Sequence, residues 1–348
     1  MQWLYGMTRQ ALRRWLAQRG EPEYRADQIY DWLYKKRAGS VEEMTNLSQK
    51  LRTLLAEQFV FGTLKVIRRQ VSQKDGTTKF LFELYDGDTI ETVIMRHDYG
   101  ISVCVSTQVG CKMGCKFCAS TLGGLIRNLH AGEIVEQLMH CQRLLDQEGA
   151  RVASVVLMGS GEPLENYDAA MDFVDIVTDS AGLMIGQRHI TISTVGLVPA
   201  ILRLADERRG LTLAVSLHAA DDETRSRMMP VNKAYNIARL LEACQYYYKV
   251  TGRRISFEYA LIHGHNDSVE DARKLAELLR PLPCHVNLIP VNYVPERNLV
   301  RTPNGQIQAF VDELCRLGQS ATVRREMGGD IAAACGQLRA EHSGERSG

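Results

Sequence analysis

From residue 101 onward the chain alternates six times between a short β-rich run and a longer amphipathic stretch, and no other feature narrows its fold so far. The runs are 101–107, 153–159, 189–196, 211–219, 254–262 and 285–292. Between them lie segments such as 131–145, whose Ile134, Val135, Leu138, Met139 and Leu145 recur on one helical face. This alternation predicts a parallel sheet backed by helices, and right-handed crossovers curl six such units into an α/β barrel, partial or closed. Sites in such folds form at the C-terminal ends of the strands. Those ends carry Cys111, Cys115 and Cys118 after the first run, Gly159-Ser-Gly161-Glu162-Pro163 at the second and Ser193 and Thr194 at the third. Ser216 and His218 end the fourth run and Asn292 the sixth.

The first third of the chain reads differently. Over 7–60 the apolar residues Leu12, Trp15, Leu16, Ile29, Trp32, Leu33, Leu47, Leu51, Leu54 and Leu55 recur at spacings of three and four, the pattern of a small helical module. Near residue 64 the pattern changes to alternating runs, 78–84 and 89–95, joined by the turn signal Asp86-Gly87. The expected organisation is a helical accessory domain over 1–72, a β-hairpin extension over 73–100, a barrel over 101–325 and a C-terminal loop and tail over 326–348. Within the last part, 343–348 reads as a loose tail.

No apolar stretch approaches the ~20 residues of a membrane span, and 1–14 lacks the apolar core of a signal peptide. A cytoplasmic protein without a membrane partner is expected. The nine cysteines are then expected to serve as reduced ligands or reactants rather than as a disulfide framework. Residues 1–72 hold 13 Lys and Arg against 7 Asp and Glu, a balance of +6, which leaves −5 for the remainder of a chain whose net charge is +1. A basic front segment suits a polyanionic partner and equally a solvated helical surface. Arg13, Arg14, Arg19, Lys35, Lys36 and Arg37 are the candidates to meet such a partner.

Cys111-Lys-Met-Gly-Cys115-Lys-Phe-Cys118 is the sharpest chemical signal. Three thiolates on one short loop can hold three irons of a [4Fe-4S] cube and leave the fourth iron open. A radical S-adenosylmethionine enzyme uses that open corner to chelate the amino and carboxyl groups of the nucleotide's methionine, and one electron then breaks a sulfonium–carbon bond. Structural zinc asks for a fourth protein ligand, and the next His or Cys after Cys118 is His130, beyond the short loop. Gly161 and Glu162 are read as contacts to the ammonium of the bound methionine, and Ser193, Ser216, His218 and Asn292 as a ring for its ribose and carboxylate. A plain turn and ordinary strand-end polarity would use the same residues. His263 and His265 precede Asn266-Asp267, which reads as a helix cap rather than a metal pair.

With the cysteine loop, Met158-Gly-Ser-Gly-Glu-Pro163, Ser216-Leu-His218-Ala and Asp330-Ile-Ala-Ala-Ala-Cys335-Gly-Gln-Leu338 together, the chain resembles the RlmN/Cfr family of RNA adenosine methyltransferases. Asn287-Leu-Ile-Pro-Val-Asn292 and Arg325-Glu-Met-Gly-Gly-Asp330 are closer to its carbon-2 branch than to its carbon-8 resistance branch. The resemblance implies a partial (β/α)6 radical S-adenosylmethionine barrel with a helical N-terminal domain and a C-terminal loop carrying a reactive cysteine. It implies two molecules of S-adenosylmethionine per turnover, one methylating Cys335 and one cleaved to activate that thioether methyl. The catalytic roles that follow are Glu91 as the base that removes the ring proton and Cys104 as the thiol that resolves the RNA adduct by disulfide formation with Cys335. Implied partners are 23S rRNA near the peptidyl transferase centre, tRNA at the adenosine 3' of the anticodon and a flavodoxin-type or other low-potential electron donor, with the enzyme a monomer. Two positions depart from the family pattern, Ser160 where methionine is common and Ala332 where aspartate is usual. Carbon-8 methylation, a radical enzyme of another kind such as a glycyl-radical activase, and a non-catalytic RNA-binding protein with a structural metal site are the competing readings.

Overall fold

The computed structural model describes residues 2–339; the tail expected at 343–348 lies outside the described residues. The front of the chain forms helices α1 (Arg9–Ala17), α2 (Arg25–Tyr30), extended by a π turn over Asp31–Lys35, and α3 (Gln49–Gln58). Thr8 and Ser48 cap α1 and α3 by accepting the amides of Ala11 and Leu51, which satisfies donors that the first turn leaves open. The apolar faces bury Leu12, Leu16, Ile29, Tyr30, Leu33, Leu51 and Leu55 in a core continuous with that of the main body.

Next come strands β1 (Lys65–Val71), β2 (Thr78–Glu83), β3 (Thr89–His97) and β4 (Gly100–Cys104), each antiparallel to the one before. The helical module therefore stops at Gln58. The segment counted with it up to residue 72 contains the edge strand β1, whose exposed Lys65, Arg68 and Arg69 hid its pairing with β2. Charged residues on an edge strand discourage pairing with other chains, and they also blunt the apolar alternation by which a strand is read.

A two-stranded ribbon, β5 (Gln108–Gly110) and β6 (Leu125–Asn128), interrupts the main sheet at the cysteine loop. Thereafter the expected alternation holds. Strands β7 (Val152–Leu157), β8 (Ile190–Thr194), β9 (Thr212–Ser216), β10 (Ile255–Leu261) and β11 (Cys284–Pro290) join β4 in parallel, in chain order. A short β12 (Ala321–Val323) adds a further parallel strand beyond the six expected. The ten-stranded order runs from β1 to β12 without closing, so the wall is a partial barrel with an antiparallel extension. The crossovers are α4 (Ala131–Asp146), α5 (Tyr167–Thr178), α6 (Val198–Asp206), α7 (Asp222–Met228) with α8 (Ile237–Thr251), α9 (Val269–Leu279) and α10 (Asn304–Arg316).

The N-terminal module seats on α4. Gly132 is required there, because a Cβ would lie 2.2 Å from Cβ of Trp3. Glu136 accepts the amides of Gly62, Thr63 and Leu64, pinning the link between module and sheet. The α9 cap is Ser268, not Asn266 or Asp267 as expected. Asn266 instead bonds the Ile262 amide and the carbonyls of His218 and Ala260, while Asp267 accepts from the Gly264 amide and the Thr302 hydroxyl.

Arg225 on α7 is fully buried, and its guanidinium donates to the carbonyls of Val195, Ser216, Leu217 and Tyr235 and to Oδ1 of Asn232. It thereby ties the ends of β8 and β9 together. Burial lowers its pKa to about 10, which still leaves it charged at neutral pH. Arg225→Met is expected to strand these carbonyls and to lower the unfolding free energy by about 3 kcal/mol or more, measured by urea titration. A loss below about 1 kcal/mol would show that the guanidinium does not brace the rim.

Candidate active site

The cysteine loop is shaped before any ligand arrives. Gly110 at φ +72 allows the ribbon to close, since a Cβ there would lie 2.0 Å from the Gly124 carbonyl. The amide of Cys111 donates to that same carbonyl, and the Lys116 amide to Met228 O at the end of α7. Thr121 Oγ1 donates to the carbonyls of Cys115 and Cys118, and Arg297 braces Thr121 in turn. Cys111 and Cys115 are buried and Cys118 half-buried, and all three line one cavity.

Burial pushes all three thiols up, Cys111 to about 12, so metal must displace their protons on binding. Among the described residues no three His, Cys, Asp or Glu converge closely enough to hold a single metal ion. Three thiols that share a cavity without converging on one point suit a multinuclear iron–sulfur cluster better than a zinc tetrahedron.

The same cavity is lined by Gly161, Glu162, Ser193, Ser216, His218 and Asn292, so the strand ends do meet the cysteine loop. Gly161 stands at φ +108 with Gln108 so close that a Cβ would lie 2.6 Å from the Gln108 Cβ, which leaves only glycine. Glu162 is buried, and its carboxylate accepts the amides of Val195 at 2.8 Å and Leu164 at 3.1 Å. Burial outweighs those bonds and raises its pKa to about 7.

His218 holds a left-handed backbone, φ +59, which a non-glycine residue adopts only when its surroundings enforce it. Its Nδ1 accepts the Ala260 amide at 2.8 Å, so in the neutral ring the proton sits on Nε2. Burial and then the Arg225 charge push its pKa down to about 3, which keeps the ring neutral at working pH. Phe117 packs edge-on against it, with ring centroids 4.6 Å apart.

Cys335 is exposed at this cavity and also borders a second one, lined by Met95, Arg301, Arg324, Arg325 and Met327. Asn292 Nδ2 donates to the Cys335 carbonyl at 2.9 Å, so that side chain is spent on the loop as well as facing the cavity. Glu91 and Cys104 do not line the cysteine cavity. They lie on β3 and β4 beneath the C-terminal segment, where Val93, Met95 and Cys104 pack against Met327, Ala333 and Leu338. Burial raises the Cys104 thiol to about 12; the nearby Cys335 adds to the rise, and Arg324 opposes it.

Several residues at the site were not anticipated. Arg324 follows the three-residue β12 and enters the barrel, 3.8 Å from the buried Glu258 carboxylate. Lys79 pairs with Glu91 at 2.8 Å. Gln108 accepts the Glu162 amide. Only Lys79 had a readable signal, because strand alternation across the β2–β3 hairpin puts it on the same face as Glu91.

Comparison with known proteins agrees with this geometry. Residues 3–61 match the ribosomal RNA large subunit methyltransferase N-terminal domain, and residues 105–279 match the radical SAM superfamily. The chain is 58% identical over 338 residues to the probable dual-specificity RNA methyltransferase RlmN of Staphylococcus aureus strain JH9, covering 97% of this chain and 93% of the relative. The protein of the same name from strain Newman matches equally. A crystal structure of a radical SAM methyltransferase from Sphaerobacter thermophilus superposes with a TM-score of 0.93 at 46% identity, covering 97% of this chain and 99% of that one.

Cys115→Ala is expected to abolish iron retention and visible absorbance after anaerobic reconstitution. Cys315→Ala, an exposed cysteine remote from the cavity lining, should leave both unchanged. Full iron retention by Cys115→Ala would remove Cys115 from the ligand set.

Proposed function

Since the chain belongs to the RlmN family of radical S-adenosylmethionine RNA methyltransferases, we propose that it forms 2-methyladenosine, in 23S rRNA near the peptidyl transferase centre and in tRNA at the adenosine 3' of the anticodon. The observation that carries this reading is that Cys335 faces the same cavity as the three loop cysteines. A methyl group carried there as a thioether is within the enclosure where it would be activated.

Cys111, Cys115 and Cys118 would hold three irons of a [4Fe-4S] cluster in this reading, leaving one without a protein ligand for S-adenosylmethionine. The cluster, when bound, supplies the electron that splits the sulfonium and so makes hydrogen abstraction from a thioether methyl available. Glu162 takes the methionine ammonium, whose charge would hold its carboxyl ionised. His218 donates from Nε2–H, and Gly161, Ser193, Ser216 and Asn292 contribute the remaining polar contacts. The chemistry needs this route because the ring carbon between two adenine nitrogens is electron-poor and does not attack a sulfonium methyl.

Once the carbon on Cys335 is joined to the base and the adduct has given up its unpaired electron, which the oxidised cluster would accept, Glu91 removes the ring proton. The Cys104 thiolate then attacks the Cys335 sulfur. The sulfur–carbon bond breaks with its electron pair on carbon, that carbon takes a proton to become the methyl group, and a Cys104–Cys335 disulfide remains. Cys335 lies near enough to add to the rise of the Cys104 thiol, which supports this pairing.

Holding an unstacked adenosine costs a few kcal/mol and calls for backbone contacts. We assign that holding to residues 1–72, although the basic surface there is partly neutralised. Arg13 pairs with Asp27, Lys35 and Lys36 with Asp31, and Arg37 with Asp146. Among the described residues no helix is long and apolar enough to cross a membrane, which suits a cytoplasmic enzyme acting on RNA with a low-potential donor.

Nucleoside analysis of RNA from a deletion strain tests the proposal. Wild-type protein should restore 2-methyladenosine to rRNA and tRNA, and Cys335→Ala should restore none. Appearance of 8-methyladenosine would reassign the carbon, and restoration by Cys335→Ala would remove the thioether route.

A further inference from the structure

Lys79 and Glu91 stand on neighbouring antiparallel strands with Lys79 opposite Val93 and Glu91 opposite Leu81, which makes them diagonal neighbours on one face. Their side chains are only 9% and 6% exposed, and Nζ lies 2.8 Å from Oε1. The same ammonium donates to the carbonyl of Ala332 at 3.0 Å, just ahead of Cys335. Ala332 has φ +50, a conformation that alanine keeps only under external constraint. The other carboxylate oxygen, Oε2, accepts the amide of Arg339 at 2.8 Å, just beyond Cys335. One buried ion pair therefore grips the loop on both sides of its cysteine.

We propose that Lys79 is a positioning residue that keeps Glu91 ionised and couples it to the Cys335 loop, so that the base is screened while the loop is seated and is uncovered when the loop withdraws. The inference rests on the reading of Glu91 as the base. The step it serves is a proton transfer. A ring C–H bond of the covalently held adenine breaks, the proton passes to a Glu91 oxygen, and the electron pair stays in the ring and restores its conjugation. A carboxylate this deeply buried would be driven toward its neutral form without a cation beside it, and a neutral acid cannot accept that proton.

Other ionisable groups around this face are Cys104 on β4, Arg324 after β12, and Cys335 and Arg339 of the loop. Burial holds the Cys104 thiol up, and the Arg339 guanidinium is turned toward Glu296 at 2.7 Å. Among the described residues, Lys79 contacts the Glu91 carboxylate directly.

The test uses the reconstituted full-length enzyme with RNA substrate and follows decay of the covalent protein–RNA adduct across a pH series. Lys79→Gln keeps an N–H donor on a side chain one atom shorter and removes the charge. Its acid limb should move up by about one pH unit, making decay about tenfold slower below the limb, and Lys79→Arg should return the limb toward wild type. Iron content and Cys335 methylation, scored in parallel, report folding and loop seating. A wild-type limb in Lys79→Gln, or an equal defect in Lys79→Arg, overturns the proposal. Glu91→Gln separates the two ideas. If its adduct decays normally, the base assignment itself fails; if its adduct persists while Lys79→Gln behaves as wild type, only the role of Lys79 fails.

Discussion

The strand-end residues that face the cavity arrive there because seven neighbouring strands, from β4 through β12, run parallel. Parallel strands joined by helices deliver their C-terminal ends to one rim, and a rim concentrates loop backbone where donors and acceptors are unspent. Gly161, Ser193, Ser216, His218 and Asn292 share a cavity for that reason alone. The buried Arg225 then removes the slack, since its guanidinium is bonded to carbonyls from the ends of both β8 and β9.

The antiparallel extension serves a different end. Strands β2 and β3 turn one face to the core, through Phe80, Phe82, Ile90 and Ile94. The opposite face carries Lys79, Glu91 and Val93, and beside them Cys104 of β4. It would be an exposed patch of mixed charge and apolar surface if the C-terminal segment did not cover it. The cover is polar at its margins as well as apolar at its centre. Ser72 donates to Asp330, Asp75 accepts from the Gly328 amide, and Ser120 donates to the Leu338 carbonyl. A lid held by hydrogen bonds at its edges over one small apolar cluster can leave without opening the main hydrophobic core.

Strands β7 to β11 were legible because parallel strands buried on both faces become apolar runs bounded by turns. The helices announced themselves through the periodicity of their apolar residues. The three-residue β12 carried too little pattern to be seen, and β1 concealed itself behind Lys65, Arg68 and Arg69. The cap expected at Asn266 moved to Ser268, because Asn266 found better partners in the carbonyls of His218 and Ala260.

The amino-acid sequence by itself determined the strand–helix alternation, the cysteine spacing and the glycines that the close approaches at Gly110 and Gly161 demand. Those are local properties, set by period, backbone sterics and ligand number. Only the tertiary structure decided that the Lys79–Glu91 pair is buried beneath the C-terminal segment, that Arg324 enters the barrel and that Cys104 lies under the segment bearing Cys335. Each of these joins residues remote in the chain or turned inward against their usual preference for water, and such pairings follow from which surfaces are buried together rather than from any pattern along the chain.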